Sequence, residues 1–60
     1  MIYVAQIDPK TNTIIQGAAF STSQMAEDHF SANPEHIFVF TDEFITPGTH
    51  LFLDGKVVQK

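Results

Sequence analysis

The chain contains no cysteine and no tryptophan, and its three lysines face seven acids for a formal net charge of −4. Without cysteine there is no disulfide framework, and a structural metal cannot be held by thiolates. With so few basic residues there is no patch suited to a phosphate backbone, so nucleic acid is excluded as an expected partner. Its three glycines, Gly17, Gly48 and Gly55, are scattered singly. That rules out a glycine-rich phosphate loop. No apolar run approaches the ~20 residues needed to cross a bilayer, and Met1-Ile2-Tyr3-Val4 lacks the basic start of a signal peptide. The sequence therefore predicts no membrane partner and synthesis in the cytoplasm.

Six phenylalanines, one tyrosine and a hydrophobic fraction of 43% are too apolar for a disordered tail. Sixty residues fit one domain, 1–60, with no room for a second core. A domain of this size buries only about 60% of the surface its unfolded chain exposes, so it starts near the lower limit of independent stability. Disulfides being excluded, self-association is the expected source of further support.

The pattern predicts an α+β fold in the order ββαβββ, a small and mostly antiparallel sheet with one short helix. Ile2 to Ile7 alternates as a first strand ending in the turn-forming Asp8-Pro9-Lys10-Thr11-Asn12. Thr13-Ile14-Ile15-Gln16 resumes β-branched character, which predicts a hairpin, with Gly17 as a bulge or bend. Ser21-Thr22-Ser23-Gln24 matches a capping box with Ser21 as the cap. Met25, Ala26, His29, Phe30 and Ala32 then recur at helical spacing, and Asn33 in a left-handed conformation followed by Pro34 should end the helix. His36 to Thr41 is the clearest strand, and Phe44-Ile45 adds a short edge segment before the turn Thr46-Pro47-Gly48-Thr49. His50 to Leu53 and Lys56 to Gln59 flank Asp54-Gly55, a pair suited to a type I′ turn in which both residues take positive φ.

In His36 to Thr41 one face reads His36, Phe38, Phe40 and the other Ile37, Val39, Thr41, so both are apolar. Leu51 and Leu53 oppose Phe52 in the last hairpin, and Val57-Val58 puts one valine on each side. A helix of about ten residues spans ~15 Å and hides one face only. The second face requires the N-terminal hairpin folded over it, a second copy of the chain, or another protein. Phe38, Phe40, Leu51, Phe52 and Leu53 are therefore the expected interaction residues, divided between core and contact.

Catalytic, metal and cofactor sites are not expected. His29, His36 and His50 match no close-spaced metal signature. Ser21, Ser23 and Ser31 lie in no nucleophile elbow and suffice as helix-capping residues. Glu27-Asp28 and Asp42-Glu43 are sequence neighbours, and on a strand neighbours point to opposite faces. The acid density is too low to imitate duplex DNA, which carries a charge every ~1.7 Å. No small-molecule substrate is indicated.

The segment Ile45-Thr46-Pro47-Gly48-Thr49-His50-Leu51-Phe52-Leu53-Asp54-Gly55-Lys56-Val57-Val58 resembles the hairpins that recur in small phage virion proteins, notably tail-fibre and tail-tip modules. The opening Met1-Ile2-Tyr3-Val4-Ala5-Gln6-Ile7-Asp8 with its Thr-Asn turn is similar. This resemblance implies a virion accessory or adaptor subunit, synthesised in the host cytoplasm and working by protein–protein docking. It carries no catalytic residue with it. The alternative in the same setting is a phage-encoded inhibitor that binds one host protein through an open sheet edge or through the acids Glu27, Asp28, Asp42 and Glu43.

Overall fold

The computed structural model describes residues 1–60 as β1 (Ile2–Asp8), β2 (Thr13–Phe20), α1 (Ser23–Ala32), β3 (Ile37–Thr41), β4 (His50–Leu53) and β5 (Lys56–Gln59). The ββαβββ order and the α+β class are as the pattern predicts. The strands form two sheets, a three-stranded one in the order β2-β1-β3 and the separate β4-β5 hairpin, and every pairing is antiparallel.

The loop between β1 and β2 closes on Asp8. Its carboxylate accepts from the Lys10 amide at 2.9 Å and its carbonyl from the Asn12 amide at 2.7 Å, while Asn12 takes φ 60°. Asn tolerates this left-handed conformation better than most residues. In the strands that follow, Gln6 pairs with Gln16 but Ile7 pairs with Ile14, so Ile15 is an extra residue bulged from the ladder. The bulge shifts the alternation by one and sends Ile14 to the face opposite Gln16. Ile14 is thereby buried and Ile15 exposed.

The bulge thus falls at Ile15 and not at Gly17, which meets a different need. A methyl group at Gly17 would collide with the Ile45 carbonyl, so the absent side chain lets the backbone after β3 pass over the sheet. Phe44-Ile45 is not the edge strand expected from its composition. It is irregular backbone whose isoleucine is buried in a core with Ala5, Ile7 and Ile14. Val39, Phe52 and Val57 pack against that cluster.

The helix begins one residue later than the capping-box pattern places it. Thr22 is the N-cap, and its hydroxyl accepts from the Met25 amide at 3.2 Å. Methionine then occupies the third helical position, so no reciprocal bond forms, and Gln24 instead donates to Asp28 at 2.9 Å. At the other end Asn33 has φ −130°, not a left-handed value. Its side-chain amide donates to the His29 carbonyl at 2.9 Å and its backbone amide to the Phe30 carbonyl at 3.1 Å. Two orphan carbonyls are satisfied by this route without a reversal of φ.

These elements stack in three layers: helix, three-stranded sheet, hairpin. The second face of the sheet is covered by β4-β5 together with Ile45, none of the three covers expected from the sequence. The physical reason is that the N-terminal hairpin is not free to fold over, because β1 is the central strand, paired on one side with β2 and on the other with β3.

Candidate functional site

The helix-side face of the sheet carries Val4 and Gln6 from β1, Gln16 and Ala18 from β2, and Phe38 and Phe40 from β3, since directly paired residues share a face. Aromatic rings link this face to the helix. Phe30 lies 4.5 Å from Phe38 and 6.0 Å from Phe40 between ring centroids, and His29 lies 5.3 Å from Phe20 and 5.6 Å from Phe38. Such separations fall in the range of favourable tilted and edge-on aromatic pairs.

Gln6, only 3% exposed, sits in the middle of this face. Its amide nitrogen donates to His36 Nδ1 at 2.7 Å, and its oxygen accepts from Gln16 Nε2 at 2.8 Å and from His29 Nε2 at 3.0 Å. An amide nitrogen has no acceptor capacity, so His36 Nδ1 must carry no proton; an amide oxygen cannot donate, so His29 Nε2 must carry one. The arrangement ties helix, sheet and the loop before β3 to one side chain. Sequence reasoning overlooked Gln6. The available signal was a polar residue in phase with Val4 on an otherwise apolar face.

Among the histidines, the structure thus brings His29 and His36 to a single amide, while His50 lies apart with Nδ1 2.8 Å from the Thr49 hydroxyl. No three metal-ligating side chains converge. The network satisfies polar atoms of Gln6 that the fold has buried.

The five expected interaction residues separate over three faces. Phe38 is half-buried beneath the helix, and Phe40, next on the same face, is 69% exposed. Phe52 points into the core between sheet and hairpin. Leu51 and Leu53 fall on the opposite face of the hairpin, where Leu51 is half-buried and Leu53 is 53% exposed. Of the five, Phe40 and Leu53 offer surface to another molecule. Sequence reasoning did not single out Phe44, which is 54% exposed in the loop after β3.

A cleft of about 650 Å³ opens between β3 and the hairpin, lined by Val39, Thr41, Ile45 and Val57 with Asp42, Glu43 and Lys56. It lies alongside β3, a terminal strand of its sheet. The bend that carries the acids is held by the Thr41 hydroxyl donating to the Glu43 carbonyl at 2.8 Å. Of the four acids expected to form a rim, Asp42 and Glu43 line this cleft, whereas Glu27 and Asp28 are exposed on the helix.

No known protein family, curated protein or solved structure matches this chain.

Proposed function

We propose that the protein acts by docking to other protein chains, as a small structural, assembly or adaptor subunit. The observation that supports this is the surface remaining after the chain has covered both faces of its own sheet. Phe40, Phe44 and Leu53 stay more than half exposed, and Met25 and Ile15 join them on the outside. Large apolar side chains left on the outside of so small a molecule supply contact area for a protein partner. The hairpin resemblance over Ile45 to Val58 favours a phage particle as the assembly, with a place at the tail.

The test is mass in solution and company in the particle. Light scattering coupled to size exclusion at high micromolar concentration should give a mass above the 6.7 kDa of one chain. Leu53→Asp with Phe44→Asp should return it to a monomer with its circular dichroism intact, and the wild-type chain should copurify with virion components. A wild-type monomer that copurifies with none of them sinks the proposal. A second reading, an inhibitor that binds one host protein, is favoured by the unpaired edge of β3 beside the acids of its following bend; one stoichiometric host partner would select it.

A further inference from the structure

Building on the docking reading, we infer that the free edge of β3 receives an extended segment of another protein, apolar at alternate positions and carrying lysine or arginine at both ends.

The molecule has four strand edges without a neighbour, and three of them carry features that discourage pairing. The outer edge of β2 is broken by the Ile15 bulge. Strands β4 and β5 are four residues each, and β5 opens on Lys56. Bulges, short strands and lysines are the usual means of blunting an edge. Strand β3, Ile37-Phe38-Val39-Phe40-Thr41, has no charge, no proline and no bulge. None of the backbone hydrogen bonds made outside helices and strands involves these five residues, so the chain supplies nothing to their outward amides and carbonyls.

Beside this edge lies the cleft between β3 and the hairpin. A strand added at the usual ~4.8 Å from β3 would direct alternate side chains over it, toward Val39, Ile45 and Val57. Main-chain bonds along an edge with pockets for alternate side chains are the working parts of strand addition.

The charges decide the occupant. Exposed Glu35 precedes β3, and exposed Asp42 and Glu43 follow it. A second copy paired antiparallel about a two-fold axis, in the register centred on Val39, would bring the turn carrying Glu35 of each chain toward the bend carrying Glu43 of the other, and two net charges of −4 together. Like charges brought together across an interface oppose association. A segment with basic ends meets acids at both ends of the strand.

The probe is a synthetic nine-residue peptide with a Thr-Val-Thr-Val-Thr centre and two lysines at each end, compared with the same centre between glutamates. Added to the full chain, the lysine peptide should slow amide hydrogen exchange within Ile37 to Thr41. Asp42→Lys with Glu43→Lys should weaken its binding by about tenfold or more, with β1 exchange unchanged as the control for folding. Equal binding of both peptides, protection at β2 or β4 instead, or no binding would each overturn the inference. Slower exchange of the outward β3 amides as the chain alone is concentrated would overturn it in favour of a second copy. Because the docking proposal is read from the Leu53 and Phe44 variants, its failure is distinguishable from that of the β3 edge.

Discussion

Gly17 and Gln6 show how much of this molecule hangs on single side chains. Gly17 is needed because the Ile45 backbone crosses where a β-carbon would stand. Gly17→Ala must push backbone aside, so we expect a loss of about 3 kcal/mol, at the upper end of the range for overpacked sites, read as a lowered urea midpoint. Gln6 acts through three partners at once. Gln6→Leu fills the same space but leaves the half-buried His36 and His29, and the exposed Gln16, without their bonds to it. The expected cost is about 1–3 kcal/mol, seen in thermal unfolding. Gln16→Ala, which removes only a bond from an exposed residue, should cost less than Gln6→Leu, and the reverse order would show that the network is not centred on Gln6.

Among the elements, the helix start and the last turn make contrasting cases. Two adjacent hydroxyls, Ser21 and Thr22, compete to cap α1, and the structure selects Thr22. Thr22→Ala should cost about 1 kcal/mol, whereas Ser21→Ala, which removes only a 3.6 Å contact to the Met25 sulfur, should be nearly silent in the same denaturation measurement. At the turn, Asp54 has φ 53° and Gly55 φ 77°, as a type I′ hairpin requires. Gly55→Val forces a branched side chain into the left-handed region, with an expected loss of at least about 1 kcal/mol. Exchange of the β4 and β5 amides should rise before that of β1 if the hairpin opens as its own unit.

For the molecule as a whole, stability rests on a thin core. Only Val4, Ala5, Ile7, Ile14, Ala26, Ile45 and Gln6 are buried. A 60-residue chain at 0.05–0.15 kcal/mol per residue has roughly 3–9 kcal/mol in hand. Ile45→Ala, with an expected cost of about 2–5 kcal/mol, should therefore remove most of it and release the hairpin that covers the sheet. Two-dimensional NMR of this variant should show collapsed dispersion at 37 °C; a well-dispersed spectrum would mean that the hairpin is held by other contacts.

Local chemistry alone determined the element order, the type I′ turn at Asp54-Gly55 and the two apolar faces of β3, because alternation, turn residues and hydroxyl caps act within a few positions of the chain. The placement of the layers was decided only in three dimensions. That β1 would be central, that the Ile15 bulge would turn Ile14 inward, that Gly17 would make way for Ile45 and that Gln6 would gather two histidines all depend on residues seven or more positions apart. The expected interaction set divided for the same reason: Phe38 and Phe52 are half-buried by distant segments, whereas Phe40, despite the Phe30 ring 6.0 Å away, and Leu53 stay more than half exposed. A period of two in a strand says which side chains share a face, but only the packing of other segments says which face is left open.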